Sequence, residues 1–576
     1  MTNKTTPSSC YVREYDGFDG IDRTRRSGGL RDVVNMRLEN DKTLKRREAA
    51  VKLITLEAKP RAHYPYSEDK LILLEGRRVI LLDLSTLQKD VLGFVDADEG
   101  DAQFFSYDGR ILLADGSKFY ICLSSGIEEL EGYAPLYGKD WHPTQKGRVH
   151  QQMNLLSRHY RISYIADQDN PPMYLLDFET SSIDAAYING DPISYTRLSL
   201  SDDGLLFGCN AEIKAGDRLT VFLSVKHLPY QGTLFSTCSR ASTFGDAGGR
   251  GADSSSIAFY GGRESSSLYC TRRVDNDEFE AVKKEYPPSM SIYVVRSERM
   301  AAGSGNSPIT ATCRRGGNLL VFTTDSAFVL TESGETSQLI NLSTRGGCSS
   351  VGGSAPMGDS PITVSESGIL KWSPTRYDSA EYSATCISLP ICGLPHAKFY
   401  STSVIYPCRT RNEIWFTDPH SADKRVFIYN TLLDAWYSFC GIAAESFFEI
   451  GGRFGFFSGR DAFLFNDGAA ADNDGSNTIP ITVKLATGRI TFGDFERKKR
   501  LFKLSMQTAP QNSFEISSTD ASGYSVSLST VDRSGEQPGY IEERINARRS
   551  RHYFLTLTGR SATPEQIIGI TLTAAK

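Results

Sequence analysis

The stretch KLILLEGRRVILLDL, from Lys70 to Leu84, contains two short apolar strands joined by a glycine turn. The same unit returns with other side chains in QFFSYDGRILLADGSKFYICL, from Gln103 to Leu123. Further copies are NLLVFTTDSAFVLTESGETSQLINL (Asn318 to Leu342), EIWFTDPHSADKRVFIYNTLLDAWYSF (Glu413 to Phe439) and RFGFFSGRDAFLFND (Arg453 to Asp467). Alternating strands at this spacing, without helices between them, indicate sheets stacked around an axis or folded into sandwiches. We therefore expect an all-β chain with a β-propeller-like body.

Turn residues and shifts in composition divide the chain into domains. A polar, turn-rich start is typical of an extended arm, and NGD, DDG and AGD turns predict a small β-domain inserted between propeller blades. Strand patterns about ten residues apart near the C-terminus predict an antiparallel β-sandwich. The predicted domains are an N-terminal arm at 1–50, propeller blades at 51–172, an inserted β-domain at 173–228, further propeller blades at 229–467, a linker at 468–480 and a C-terminal β-sandwich at 481–576.

The composition is that of a folded globular protein, with 40% hydrophobic and 23% charged residues among 576. The net charge of −5 supplies no global basic field that would attract nucleic acid. The sequence lacks a run of about 18 apolar residues and the apolar region of a signal peptide. We therefore expect synthesis in a cytoplasm and no membrane insertion by this chain.

The residues that carry chemistry are scattered. Eleven cysteines without a CxxC pair and eight dispersed histidines predict free, mostly buried thiols and no zinc site. GYAPLYGKD (Gly132 to Asp140) lacks the spacing of a phosphate-binding loop, and DNDGSN (Asp472 to Asn477) is followed by Val483 where a calcium loop needs Glu. We find no GxSxG or HExxH motif. The sequence thus predicts a protein that is not an enzyme and has no catalytic residue, cofactor or metal.

Two basic clusters are the candidate site residues. Clustered cations bind phosphate or an acidic neighbouring subunit, and they also protect sheet edges from aggregation. We expect these side chains to contact neighbouring subunits, with nucleic-acid contact and plain solvation as the alternatives. The clusters are Arg23, Arg25 and Arg26, and Arg497, Lys498, Lys499 and Arg500.

Several segments resemble a family of virion proteins from short-tailed phages. The opening FDGIDRTRRSGGLRDVVNMRLENDKTLKRREAAV resembles the start of the tail nozzle, or tail tubular protein B, and phage stabilisation proteins. Asn35 and Met36 fit the family's asparagine-methionine pair, and Leu44 with Arg46 or Arg47 fits the close of the motif. Lys42 and Glu48 stand where the family has glycines. The segments that follow in the family's usual order are NLLSRHYRISYIAD (Asn154 to Asp167), FYGGRESSSLYCTRRVDNDEFE (Phe259 to Glu280), ITATCRRGGNLLVFTTDSAFVL (Ile309 to Leu330), VFIYNTLLDAWYSFCGI (Val426 to Ile442), and RRSRHYFLTLTG with IIGITLTA at the C-terminus.

The resemblance implies a structural protein of the virion tail. Its copies would form a ring, expected to be a hexamer, below the portal and adaptor proteins, with tail fibres or a tail needle as further partners. The ring would extend the channel through which genome DNA leaves the capsid, and would conduct or gate that DNA without sequence-specific binding. In such a ring the Gly/Ser-rich segments Ser236–Ser256 and Ser343–Ser360 are candidate gates over a polar, mildly acidic lumen.

Other functions suit a β-propeller-like body as well. A receptor- or carbohydrate-binding virion protein is the alternative, with Trp372, Trp415 and Trp436 as a sugar platform. These tryptophans lie inside strand patterns, however, which favours core packing. A hydrolase would need a carboxylate cluster that one sequence does not reveal.

Overall fold

A computed structural model of the chain contains strands over 56% of its length and helices over 3%, which confirms the predicted all-β class. Two compact units are present, one formed by Met1–Lys59 with Arg345–Lys576 and the other by Pro60–Thr344. We call them the terminal unit and the middle unit. The structure describes residues 10–25, 29–107, 109–135, 149–171, 173–176, 178–228, 230–245, 256–271, 291–293, 297–333, 336–343, 346–375, 381–394, 401–420, 422, 424–508, 514–531, 539–545, 547–560 and 566–575.

The middle unit contains four antiparallel sheets of four strands, which we number as meanders in chain order. Antiparallel sheets of this size are the blade type found in propellers. Meander 1 comprises Pro60–Pro65, Lys70–Glu75, Arg78–Asp83 and Lys89–Phe94, and meander 2 comprises Gln103–Tyr107, Arg110–Ala114, Phe119–Leu123 and Gly126–Glu129. Meander 3 comprises Arg240–Phe244, Ser256–Tyr260, Ser267–Thr271 and Ser297–Ala301, and meander 4 comprises Ile309–Arg315, Asn318–Thr323, Ala327–Ser333 and Thr336–Ser343.

Consecutive meanders of this unit share apolar cores. Ile72 and Leu74 of meander 1 pack in one cluster with Leu113 of meander 2. Meanders 2 and 3 share a second cluster, and meanders 3 and 4 a third. In Lys70–Glu75 the side chains of Leu71, Ile72, Leu73 and Leu74 are all buried, so both faces of this strand are out of solvent. A strand buried on both faces has a continuous apolar run, without the polar alternation of a solvent-facing strand.

A β-insert separates meanders 2 and 3. Its larger sheet places Thr180–Ile188, Arg218–Val225 and His159–Ile165 side by side, and it encloses an apolar core of its own. The insert therefore begins upstream of residue 173, the predicted boundary, because His159–Ile165 pairs with Arg218–Val225. The remaining elements are the strands Glu131–Pro135, Val149–Asn154, Asp191–Pro192 and Ser291–Tyr293 of the same sheet, the smaller sheet Tyr174–Leu175, Leu198–Leu200 and Leu206–Cys209, the 3-10 turn Tyr195–Arg197 and, after the insert, the helix Tyr230–Ser236.

The terminal unit contains three more meanders. Meander 5 comprises Ser354–Ala355, Ile362–Ser365, Gly368–Pro374 and Tyr382–Cys386, and meander 6 comprises Val404–Cys408, Glu413–Thr417, Val426–Asn430 and Ala435–Phe439. Meander 7 comprises Ser446–Ile450, Arg453–Ser458, Asp461–Asn466 and, from the other end of the chain, Ala49–Thr55. Short 3-10 turns lie at Leu389–Ile391 and Arg409–Arg411. The three tryptophans of the expected sugar platform are buried in the terminal unit with at most 1% of their surface exposed, as core packing predicted.

The C-terminal strands form two layers together with N-terminal strands, and the pairing is antiparallel except between Leu30–Val34 and Ala435–Phe439, which are parallel. In one layer Leu30–Val34 lies between Ala435–Phe439 of meander 6 and Thr482–Thr487, and Tyr553–Arg560, Phe514–Asp520 and Ser525–Val531 follow. The other layer is Met36–Leu38, Leu44–Arg46, Gln566–Ala575, Arg500–Thr508 and Gly539–Arg544, and Cys10–Asp16 also pairs with Gln566–Ala575. The segment predicted as an arm at 1–50 therefore supplies sheet strands. Its polar composition misleads because several of its charged side chains are buried in ion pairs.

The run predicted as a linker at 468–480 is also part of a sheet. Asp472–Asn473 pairs with Thr478–Ile479 and with Val51 of meander 7. Between these strands, the Asp474 carboxylate accepts hydrogen bonds from the amides of Ser476 and Asn477 at 2.8 and 2.6 Å. Asp, Asn and Gly are common both in linkers and in tight turns, so composition alone does not separate the two.

The two segments predicted as gates differ in how much of each the structure describes. Residues 246–255 of Ser236–Ser256 lie outside the described residues. In Ser343–Ser360, by contrast, Cys348, Ser350 and Ala355 are fully buried, and the Thr363 hydroxyl donates to the Gly347 carbonyl at 3.0 Å. These packed residues argue against a segment that swings freely as a whole, although Val351 between them is 55% exposed. Its small side chains allow close packing, since a Cβ at Gly353 would lie 1.9 Å from the Ser350 hydroxyl.

Two glycines of the N-terminal segment provide a matched test of this packing. Gly17 and Gly20 both have positive φ, at +97° and +75°. A Cβ at Gly20 would lie 2.5 Å from the Trp436 carbonyl oxygen, whereas one at Gly17 would lie 3.4 Å from the Lys42 Cβ. We expect Gly17→Ala to cost about 1–2 kcal/mol through backbone strain alone. Gly20→Ala should cost clearly more, because the backbone must also move.

Chemical denaturation followed by tryptophan fluorescence measures both variants. Equal unfolding midpoints for Gly17→Ala and Gly20→Ala would contradict the docking of this segment on meander 6.

Candidate functional site

The first basic cluster is held by local partners. The Arg25 guanidinium forms ion pairs with Asp22 at 2.8 Å and with Asp19 at 3.3 Å. Arg23 donates to the Gly393 carbonyl at 2.5 Å. Arg26 lies outside the described residues. Arg25 is exposed and remains a candidate for contact with a neighbouring subunit, although its charge is already partly compensated.

A groove of about 710 Å³ lies beside this cluster within the terminal unit. Its charged groups are mostly acidic, and the Lys42 ammonium, 3.0 Å from Asp19, lowers the pKa of that carboxyl below its ordinary value. Leu389 at the groove is 54% exposed. The groove therefore offers carboxylates and apolar surface together, a composition that suits a protein segment better than a phosphate. The lining residues are Asp19, Ile21, Asp22, Thr24, Arg25, Cys386, Ile387, Leu389, Pro390, Leu433, Asp434 and Trp436.

The second basic cluster lies in a loop that buries one of its four cations and leaves the other three exposed to solvent. Lys499 is fully buried and its ammonium donates to the carbonyls of Thr491 at 2.8 Å and of Asp494. The Lys499 ammonium is therefore inaccessible to a neighbouring subunit, and the prediction that Lys499 is an interface residue is wrong. Arg497 and Lys498 are exposed. Arg500 is exposed as well and begins the strand Arg500–Thr508.

An acidic turn in the middle unit was missed by the sequence analysis. It follows meander 1 and has the sequence DADEGD at 96–101. The Arg61 guanidinium fixes the turn by donating to the carbonyls of Ala97 at 2.8 Å, Glu99 at 3.0 Å and Gly100 at 3.1 Å. The run of four acidic residues in six could have indicated this surface from the sequence. The hydrogen bonds that hold its backbone are visible only in the structure.

The residues that carry the family resemblance meet in a buried node of the terminal unit. Asn35 has φ of +58° and its amide donates to the Thr482 carbonyl at 2.8 Å. All five N–H groups of Arg47 are used, because its guanidinium donates to Asn35 at 3.0 Å, to both Asp472 oxygens at 2.8 and 2.5 Å and to two main-chain carbonyls. Met36 is fully buried beside them. We call this cluster the Arg47 node.

A second buried ion network adjoins the same strands. Arg37 pairs with Glu48 at 2.9 Å and with Glu413 at 3.0 Å, and Arg411 pairs with Glu48 at 2.7 Å. The Tyr437 hydroxyl donates to Glu413. Burial acts to raise the pKa of Glu48, but the two arginines outweigh it and lower that pKa below its ordinary value. An ionised, fully paired carboxylate is unsuited to general-acid chemistry, so this network is structural.

Cysteines and metal sites complete the inventory of the described residues. Seven of the eleven cysteines are buried as free thiols, as predicted, while Cys10 and Cys392 are exposed. Within the described ranges, no group of three or more His, Cys, Asp or Glu side chains is arranged to hold a metal ion. Within the same ranges, no helix is long and apolar enough to cross a membrane.

Comparisons with known proteins show no family. No family model matches the chain, and no curated protein matches it. Among solved structures, Kluyveromyces lactis Hsv2 is 9% identical with a TM-score of 0.25, covering 67% of this chain and 98% of its own. The extracellular domain of a one-component system from B. thetaiotaomicron is 10% identical with a TM-score of 0.21, covering 96% and 98%. TM-scores this low support no inference about fold or function.

The Arg47 node gives a stability prediction. Replacing Asp472 by Asn removes the charge that compensates a guanidinium whose side chain is 1% exposed. Breaking a buried ion pair on one side typically costs about 3–5 kcal/mol. We expect Asp472→Asn to lower the free energy of unfolding of the terminal unit by about this amount, which chemical denaturation measures as a lower midpoint. The exposed Asp467→Asn is the matched control and should leave the midpoint unchanged. If both variants unfold like the wild type, Arg47 does not depend on Asp472.

Proposed function

We propose that this chain is a structural protein of a phage tail, whose copies form a nozzle ring that extends the portal and adaptor channel. The ring conducts or gates genome DNA at ejection and contacts that DNA without reading its sequence. Its partners are its own copies, in a ring of six, the portal and adaptor proteins, and tail fibres or a tail needle. The protein acts in the virion after synthesis in the host cytoplasm and is not an enzyme.

The Arg47 node is the observation that supports this proposal most. In the N-terminal segment the resemblance to nozzle proteins includes Asn35, Met36 and Leu44 with Arg46 or Arg47, and all of these residues are buried in the terminal unit. Leu44 and Met36 are fully buried, and Asn35 and Arg47 connect the N-terminal segment to meander 6 and to the C-terminal strands. A motif built from buried connecting residues suits a protein whose work is architectural.

The alternative function, a receptor- or carbohydrate-binding virion protein, is supported less. A sugar platform needs aromatic faces open to solvent, and the three candidate tryptophans are buried. The Trp415 indole, for example, donates to Glu413 at 2.9 Å inside the second ion network. A receptor site elsewhere on the surface would bind without these residues.

Assembly with genomic neighbours tests the proposal. Mixed with portal and adaptor proteins of the same phage, the purified chain should form one discrete species whose mass equals that of the portal–adaptor complex plus six chains of 63.6 kDa. Mass photometry and electron microscopy measure this. A chain that remains monomeric beside an intact portal–adaptor complex, and that binds glycans in an array, would reject the nozzle function in favour of the alternative.

Weak affinity for DNA is a second expected property. The net charge of −5 is repeated in every copy, and Arg23, Arg25 and Lys499 are already bonded within the chain. Three of the seven cations in the two basic clusters are thus engaged within the chain, and the net negative charge opposes the neutralisation of phosphates on which such binding depends. We expect no measurable binding of duplex DNA by fluorescence anisotropy at physiological salt. Tight binding that is lost in an Arg25→Glu variant while rings still form would assign the first cluster to DNA.

A further inference from the structure

Two exposed surfaces of the chain complement each other. The first is the edge strand Lys89–Phe94 of meander 1, on which Val91 and Phe94 are 53% and 64% exposed. Its outer edge pairs with no strand among the described residues. Large apolar side chains exposed together on an edge strand mark an interaction surface.

The acidic turn follows this edge strand directly. Asp101 forms a bidentate ion pair with the Arg240 guanidinium at 2.6 and 2.8 Å, and the Asp96 carboxylate lies 3.0 Å from the Lys118 ammonium. Asp98 and Glu99 are exposed and form no salt bridge in the described part of the chain. Edge strand and turn together present two apolar side chains and two exposed carboxylates that form no salt bridge among the described residues. We call this the acidic edge.

The second surface is the loop at 491–500 in the terminal unit, which we call the basic loop. Phe495 is 70% exposed, the most exposed of the large apolar side chains in the described chain. Arg497 and Lys498 follow it and are exposed too. The exposed side chains of the loop are thus one aromatic, the three cations Arg497, Lys498 and Arg500, and one acid, Glu496. Arg497 also lies 3.8 Å from the Asp494 carboxylate, and the excess of cations complements the acidic edge.

Both surfaces are rigid for the same physical reason. In the acidic edge, Arg61 donates to three main-chain carbonyls of the turn. In the basic loop, the buried Lys499 ammonium donates to carbonyls of the loop, and the Asp494 carboxylate accepts from the amides of Glu496 and Arg497 at 3.0 and 3.2 Å. A surface that is already ordered loses little conformational entropy on binding.

We propose that the basic loop of one copy of this chain binds the acidic edge of a second copy. Phe495 packs against Val91 and Phe94, and Arg497 and Lys498 face Asp98 and Glu99. We assign the partner as a second copy because one chain carries both surfaces, and these surfaces match in their exposed apolar side chains and in the sign of their charge. A contact between two different patches is heterologous, and repetition of such a contact closes a ring when the rotation allows it. The inference rests on the proposed nozzle function and names the contact that builds its ring.

Charge reversal and its rescue test this contact. Asp98→Lys with Glu99→Lys, and separately Arg497→Glu with Lys498→Glu, should each weaken self-association at least about tenfold, since like charges then face each other. Mixing the two variants restores opposite charges at every contact between unlike copies. Combining all four substitutions in one chain restores opposite charges at every contact. Phe495→Ser should weaken association regardless of salt, whereas the charge effects should decline at high salt. Asp191→Lys with Asp202→Lys is the control, because it changes the charge of the same unit equally at exposed positions.

Sedimentation velocity of the full-length protein, alone and with portal and adaptor proteins, measures each variant. Loss in both single-patch variants and recovery in the four-substitution variant, with the control unchanged, support the contact. Rings that form on the portal in every variant overturn the contact and leave the nozzle function standing. Self-association that follows the charge swap without any ring on the portal supports the contact and overturns the nozzle function. A wild-type chain that never associates overturns both.

Discussion

The terminal unit depends on the buried guanidinium of Arg47. A buried cation is tolerated only when its charge and all of its donors are matched, and here the partners come from both ends of the chain. Asn35 and Asp472 lie 12 and 425 residues from Arg47 in sequence. Because the node is complete only when the N-terminal segment, meander 6 and the run before the C-terminal strands meet, it couples the formation of these parts. The neighbouring Arg37–Glu48–Glu413 network adds a second connection between the same segments.

The fold class and the meanders could be predicted from sequence because their signals are local. Strand pairs such as Lys70–Glu75 and Arg78–Asp83 differ from helices within a few residues, through apolar runs bounded by a glycine turn. The fate of the N-terminal segment could not be predicted in this way. Arg46, Arg47 and Glu48 are charged residues typical of a solvent-exposed arm, and their burial follows from partners far away in sequence.

The candidate site residues show the same limit on a smaller scale. Arg497, Lys498 and Lys499 are adjacent cations, yet two are exposed and one is fully buried, because the loop folds back around a single ammonium group. The Gly/Ser run after Ser343 has the composition of a flexible loop, but small side chains also permit close packing, and Ser350 is fully buried. Composition thus identifies which residues could act at a surface. Their hydrogen bonds determine which of them do.

Charged side chains in this protein have two separable roles. Arg47, Arg61 and Lys499 use their donors on groups of the same chain, and each fixes the backbone around it. Asp98, Glu99 and Lys498 form no salt bridge in the described part of the chain, and they sit on backbone that the first group holds rigid. In water, isolated surface charges contribute little to the stability of a single chain. Exposed charges without a salt bridge, on backbone held by hydrogen bonds and beside exposed aromatic side chains, gain a larger stabilising effect when a complementary surface excludes the water. This distribution of bonded and unbonded charge is the physical basis on which we propose that the chain works in an assembly.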